Sequence, residues 1–204
     1  MIASEEEARA FVAGLGDEPA MERLEWLIRA LIEENDRQNL VAKTSLGALW
    51  RRHIADSAQL LAHVPRETGP WLDLGTGAGF PGLVIAALRP ALDVRLVESR
   101  GKRVDWLERA RGEMGLGNCQ VIGKRLEAVE SFPAGIISAR AFAPLPRLFD
   151  LSARFSTPHT VWLLPKGRSA AQELNQLPRS RRSAFHVEQS LTEPGSGIIV
   201  GQRL

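Results

Sequence analysis

The densest chemistry in the sequence lies in Asp73-Leu74-Gly75-Thr76-Gly77-Ala78-Gly79-Phe80-Pro81-Gly82, a carboxylate followed by four glycines. Glycine is needed where the backbone takes positive φ or comes close to a bound group, so a loop this rich in it points to a ligand, although it can also serve as a plain strand-to-helix turn. Gly77-x-Gly79-x-x-Gly82 has the spacing of a dinucleotide loop, which would hold a pyrophosphate. Asp73 argues against that. At the end of a strand it is expected to face the cleft, where it would repel a pyrophosphate and attract a ligand carrying positive charge. S-adenosylmethionine, with its ammonium and sulfonium groups, meets that description.

Glu98 follows Asp73 by twenty-five residues, at the end of a second predicted strand, where an acid can take the ribose hydroxyls of an adenosine. Both a nicotinamide dinucleotide and S-adenosylmethionine present such a diol, so Asp73 remains the residue that separates them. Arg125-Leu126-Glu127 and Ser138-Ala139-Arg140-Ala141 follow or end later strands, at the carboxyl edge where open sheets bind ligands. Contacts from Leu126 and Glu127 to an adenine fit the first position. At the second, Arg140 has the fork to pair with a cofactor carboxylate or a substrate phosphate, or instead with Asp73 or Glu127. His53, Asp56 and Ser57 are spaced to share one helix face. They form no nucleophile triad, because no serine sits in a strand-to-helix elbow. Lys166-Gly167 adds a cation at the same edge.

The elements that must position these residues fall into two parts. Residues 1–64 read as a helical extension, with helices over about 5–12, 22–35 and 45–63; Leu24, Leu27, Ile28, Leu31 and Ile32 make an apolar face on the second. Pro65 and Gly69-Pro70 end it. Such a segment has too little core of its own and is expected to pack on the domain C-terminal to it. Residues 65–204 alternate strand and helix, the pattern of a mostly parallel sheet covered on both faces. Strands are expected at about 71–75, 94–98, 120–122, 135–139, 160–164, 185–189 and 197–200, and helices at 81–88, 102–114, 145–155 and 170–177. Glu193-Pro194-Gly195 is a short connection, so the last strand should run against the others.

Composition narrows the classes. With 44% hydrophobic and 25% charged residues the chain has ordinary globular balance. A single cysteine, Cys119, makes no internal disulfide, and no Cys/His cluster offers a metal site, which suits a reducing compartment. No secretory or membrane-spanning apolar run is present, so a cytoplasmic protein without metal or membrane is expected, and nothing demands more than a monomer. Net charge is only +2, yet the cations cluster at Arg51-Arg52, Arg100 to Arg103, Lys124-Arg125 and Arg179 to Arg182. Around a cofactor cleft these clusters suit a polyanion such as RNA, with His53, Arg103, Arg125 and Lys166 as the expected contacts.

Together the motifs resemble the RsmG (GidB) family. The resemblance runs from Asn39 to about Leu174 and rests on Asn39-Leu40, Arg52-His53-Ile54-x-Asp56-Ser57, the loop from Asp73 to Gly82, Glu98-Ser99, Lys102-Arg103, Asn118, Arg125-x-Glu127, Ser138-x-Arg140-Ala141 and Lys166-Gly167. Phe80-Pro81-Gly82 with Arg52-His53-x-x-Asp56-Ser57 is far more specific than the glycine loop. Trp106, where Phe is common, and Val41-Ala42 depart from the pattern mildly. The resemblance implies a Rossmann-like class I S-adenosylmethionine-dependent methyltransferase that methylates N7 of a guanine in bacterial 16S ribosomal RNA. It implies cofactor-binding roles for Gly75, Phe80, Leu126, Glu127 and Arg140, to which the residue reading adds Asp73, Gly77 and Glu98. Guanine N7 carries a free lone pair, so no general base is required and no catalytic residue is expected. Pyrimidine C5 chemistry would need a cysteine nucleophile, and Cys119 precedes its strand, at the wrong edge. Two other readings stay open: a nicotinamide-dependent oxidoreductase, and an RNA-binding assembly factor without turnover.

Overall fold

The computed structural model describes residues 1–64 and 68–202. Pro65, and the boundary expected beside it, lie outside the described residues. Seven strands form one sheet: β1 (Trp71–Leu74), β2 (Val94–Val97), β3 (Cys119–Ile122), β4 (Ala134–Ala139), β5 (Ser156–Gly167), β6 (Phe185–Gln189) and β7 (Gly197–Gln202). Their order is β3-β2-β1-β4-β5-β7-β6, and β7 alone runs against the rest. The expected seven-stranded, mostly parallel sheet is therefore what forms.

Alternation along each strand divides the core. Leu72 and Leu74 of β1 join Val97, Ile137, Trp162, Leu164 and Ile199 on one face, beneath α6 (Leu145–Ser152) and α7 (Ala170–Asn175). Trp71, Leu96, Ile136, Leu163 and Ile198 point to the other face, under α4 (Gly82–Leu88) and α5 (Gly101–Glu113). The helical segment joins this second cluster directly. Leu24, Leu27 and Leu31 of α2 (Glu18–Gln38) are fully buried in it, each contributing roughly 1.5–3 kcal/mol. Residues 1–64 and the sheet thus share one core.

The first helices start on side-chain caps. Ser4 Oγ accepts from the Glu7 amide at α1 (Glu5–Ala13), and Asp17 Oδ1 from the Ala20 amide at α2. The third helix departs from expectation. In place of a continuous helix over 45–63 there is a 3₁₀ stretch (Lys43–Ala48), a wide π turn (Trp50–Ala55), one turn of α3 (Asp56–Ala58) and a second 3₁₀ stretch (Gln59–His63). The cause is Glu5 of α1, whose two carboxylate oxygens accept from the Trp50 and Arg51 amides, both at 2.9 Å. Those two N–H groups are taken from the helical ladder, and the chain widens into a π turn carrying His53. The expected helix over 170–177 likewise ends at Asn175, and a short α8 (Arg179–Arg182) follows Pro178.

Candidate functional site

Parallel pairing aligns the carboxyl ends of β1, β2 and β4. Leu74 sits opposite Val97 on one side and Ala139 on the other. Strand order reverses between β1 and β4, and a cleft opens there, as sheets of this topology require. The cleft has a volume of about 410 Å3 and is lined by Gly75, Glu98, Arg103, Arg125, Leu126, Glu127 and Phe142. Four of the residues expected to hold a cofactor, Gly75, Glu98, Leu126 and Glu127, therefore share one wall system. Arg103 and Arg125, expected at RNA, stand in the same cleft.

Gly75 forms its floor with φ at +61°, and a Cβ there would lie 2.5 Å from Phe142 Cδ2. A side chain is excluded twice, by conformation and by contact. Glu98 is buried, and its carboxylate accepts from the amides of Gly77 (3.2 Å), Ser99 (2.7 Å) and Arg100 (2.9 Å). This ties the glycine loop to the end of β2. Arg103 Nη1 stands 3.8 Å from Glu98 Oε2.

Asp73 is not where the sequence reading placed it. Instead of facing the cleft it is wholly buried beneath the loop, accepting from the Gly82 amide (3.1 Å) and from Ser138 Oγ (2.8 Å). Alternation along β1 turns Asp73 toward α4, whose first amides lack partners within the helix. Trp71 Nε1 donates to Ser138 Oγ at 2.8 Å and completes the chain. Burial pushes the Asp73 carboxyl upward, against the lowering effect of these hydrogen bonds. Gly82 must lack a side chain here, because a Cβ would come within 2.0 Å of Leu96 Cδ2.

A second cavity, about 250 Å3, adjoins the first. Arg140 lines this cavity and Ala141 lines the cleft, so a single peptide separates them. Ala141 takes φ of +57°, unusual for a residue with a Cβ. Arg140 stands over the Phe80 ring, 5.3 Å from its centroid, and Phe80 stacks on His53 at 5.0 Å. Arg140 Nη2 lies 2.9 Å from His53 Nδ1, and His53 Nε2 lies 2.9 Å from Ser45 Oγ. Burial and the Arg140 and Arg52 charges push the His53 pKa down to about 3. The imidazole is therefore neutral; Nδ1 accepts from the guanidinium and Nε2–H donates to Ser45, which donates onward to the Ala42 carbonyl at 2.7 Å. His53 and Phe80 thus hold Arg140. Asp56 Oδ2 is 3.5 Å from Arg140 Nη1.

Lys166 is also a correction. Expected as an RNA contact, its side chain is only 8% exposed, and Nζ pairs with Glu173 at 2.9 Å and donates to the Ala143 carbonyl. Cys119 opens β3 at the edge opposite the cleft, and burial pushes its thiol up to about 12, so it supplies no nucleophile. Among the described residues no cluster of His, Cys, Asp and Glu could hold a metal ion, and no helix is long and apolar enough to cross a membrane.

Two residues at the site went unnoticed in the sequence. Phe142 follows Arg140 by two positions and covers Gly75. Glu193, in the loop joining β6 to β7, lines the second cavity and pairs with Arg52. The reversed last strand held the signal for Glu193: if β7 runs against the sheet, the loop before it must lie at the carboxyl edge.

Solved structures share this fold at low sequence identity. A methyltransferase of Aquifex aeolicus described as S-adenosylmethionine-dependent superposes with a TM-score of 0.58 at 13% identity, covering 82% of this chain and 96% of that one. The mitomycin 7-O-methyltransferase MmcR gives 0.60 at 13% identity, over 86% and 60% of the two chains. Sequence relatives are much nearer. The ribosomal RNA small subunit methyltransferase G of Erythrobacter litoralis is 62% identical over 202 residues, 99% of this chain and 98% of that protein. Its counterpart in Novosphingobium aromaticivorans is 55% identical over 208 residues, 100% and 90% of the two. The family model GidB, described as rRNA small subunit methyltransferase G, matches residues 20–197. With the family model matching residues 20–197, a range that includes the loop, the cleft and the Arg140 cavity, and with relatives matched over nearly their whole length, the chain belongs to the GidB family of small-subunit rRNA methyltransferases.

Proposed function

We propose that the larger cleft binds S-adenosylmethionine and the adjoining cavity receives a guanine of 16S ribosomal RNA, which is methylated at N7. The observation that carries this reading is the single peptide between Arg140 and Ala141, which brings the two cavities into contact where the strand order reverses. The residues present suit the cofactor. Gly75, at positive φ beneath Phe142, makes the turn that shapes the cleft wall. Glu98, already accepting three amides, retains a lone pair for a ribose hydroxyl. Leu126 and Glu127 supply an apolar wall and an acceptor for the adenine. Gly77 and Phe80 act on the loop and on Arg140, and Asp73 acts through Gly82 and Ser138. Bound S-adenosylmethionine supplies a methyl carbon on a sulfonium. Guanine N7 would meet that carbon with its own lone pair, so the residues of the site need take no proton from the nucleophile. The protein's task is positioning, which can contribute on the order of 7–11 kcal/mol.

Arg103 and Arg125 at the mouth of the cleft suit RNA phosphates, and His53 serves the site by orienting Arg140. The protein works as a cytoplasmic monomer without metal. Methyl transfer from labelled S-adenosylmethionine to small subunits lacking native modification, followed by mapping of the labelled nucleotide, tests the reading. Label at one guanine N7 is expected. Tight binding of NADH with no response to S-adenosylmethionine would refute it.

A further inference from the structure

The cavity beside Arg140 is lined by charges of both signs, paired as Arg140 with Asp56 and Arg52 with Glu193. Arg140 stands on the β4 side, next to the cofactor cleft. Across β5, whose Pro165 and Gly167 also line the cavity, the loop over residues 190–196 contributes Thr192 and Glu193. Two carboxylates are present, and they are not equivalent. Asp56 is the more committed: Oδ1 accepts from Gln59 Nε2 (2.9 Å) and Thr192 Oγ1 (2.8 Å), and Oδ2 faces Arg140 at 3.5 Å. It fastens the loop to the helical layer. Glu193 is held only by Arg52, and the two side chains remain 29% and 46% exposed. Among the described residues of this cavity Glu193 is the more exposed carboxylate and the one with the more acceptor capacity left.

Guanine has one edge carrying N7 and O6, both acceptors, and a second edge carrying N1–H and the 2-amino group, both donors. With N7 turned to the cofactor cleft, O6 lies beside it, on the Arg140 side. The two donors then face the opposite wall, where Glu193 stands. Resting on the proposed guanine N7 reaction, we propose that Glu193 is the guanine-reading residue, accepting from N1–H and the 2-amino group while Arg140 donates to O6. Its charge has a second effect. Methylation of neutral guanine at N7 leaves the purine cationic, so a carboxylate on N1–H is bound more strongly in the transition state than before it, and such interactions accelerate the step. Glu193 therefore reads the base and stabilises the charge it acquires. In the free protein Arg52 occupies this carboxylate and keeps the cavity neutral; on binding, Arg52 is free to turn to a phosphate of the same RNA.

The test uses small subunits reconstituted with guanosine or inosine at the acceptor position, since inosine lacks only the 2-amino group. Wild type should lose at least about tenfold in kcat/KM on inosine, the discrimination expected of a good bidentate pair. Glu193→Gln should lose at least about tenfold on guanosine, mainly in kcat, and its guanosine-to-inosine ratio should fall toward one; Glu193→Asp should restore part of both. Binding gives a second readout. Wild type should bind 7-methylguanosine monophosphate several-fold more tightly than guanosine monophosphate, and Glu193→Gln should show no such preference. A wild type that methylates inosine as well as guanosine would overturn the proposal without recourse to any variant. Unchanged discrimination in Glu193→Gln would overturn it too. Absence of label on guanosine subunits with wild type would instead overturn the reading of function on which it rests.

Discussion

Replacing His53 with Gln should remove a pH dependence from the stability of the fold. His53 is 7% exposed, and its pKa is lowered from 6.5 to about 3 by burial first and by the Arg140 and Arg52 charges next. Because the folded value is depressed, the unfolded chain binds the proton more readily, and stability falls as pH drops below 6.5 until the folded ring itself titrates near 3. At about 1.36 kcal/mol per pH unit, moving from neutral pH to pH 5 costs about 2 kcal/mol. Glutamine can keep a donor toward Ser45 and an acceptor toward Arg140 but cannot titrate. Urea unfolding of wild type and His53→Gln at pH 7.5, 6 and 5 gives the comparison. Other groups with shifted values, Asp73 and His63 among them, are common to both proteins and cancel in the difference. The variant should begin about 1–2 kcal/mol less stable at pH 7.5 and draw level with wild type near pH 5. Two parallel stability curves would refute the buried, neutral imidazole. Methyl transfer by the folded protein should show no loss from His53 between pH 7.5 and 5, since the folded ring stays neutral and keeps its hold on Arg140 until near pH 3.

Gly75→Ala combines a positive φ with a clash against Phe142; the conformation alone costs about 1–2 kcal/mol, and calorimetry should show S-adenosylmethionine binding weakened at least about tenfold. Glu98→Ala frees three amides and removes the proposed ribose acceptor, so cofactor affinity should fall by about 1.5–3 kcal/mol, the worth of a charged hydrogen bond. Ser138→Ala leaves the Trp71 indole N–H and the Asp73 carboxylate short of a partner; a loss of about 1–3 kcal/mol in urea unfolding is expected. Lys166→Met should lower stability while leaving the salt dependence of RNA binding unchanged, because Nζ is committed to Glu173 and Ala143. Arg125→Ala should reduce that salt slope by about 0.7–0.9.

The sheet was legible because parallel strands buried on both faces must be runs of apolar residues, and Trp71–Leu74, Val94–Val97 and Thr160–Leu164 are such runs. That Glu98, Leu126 and Glu127 share a cleft was legible as well, since a strand end in this topology defines a place in space before any side chain is built; Arg140, expected at the cofactor, lines the adjoining cavity instead. What escaped depended on contacts distant in sequence. The break in the third helix comes from Glu5, forty-five residues before Trp50. The burial of Lys166 comes from Glu173, one helix later. The charge of Asp73 suggests the cleft, but its alternation with Leu72 and Leu74 turns it to the opposite face, toward α4.

The place of β7 between β5 and β6 sets an order of events in time. On the ribosome β6 is made before β7, yet its pairing in the sheet is to β7 alone, so it has nowhere to attach until β7 has been made. Elongation at about 5–20 residues per second puts roughly 7–27 seconds between the helical layer and that strand. The walls of the cofactor cleft, drawn from β1 through β4, can assemble within that interval. The cavity beside Arg140 cannot, because the loop bearing Glu193 is fixed only when β7 pairs on both sides. In the growing chain the residues that wall the cleft are thus all made before the loop that walls the cavity beside Arg140.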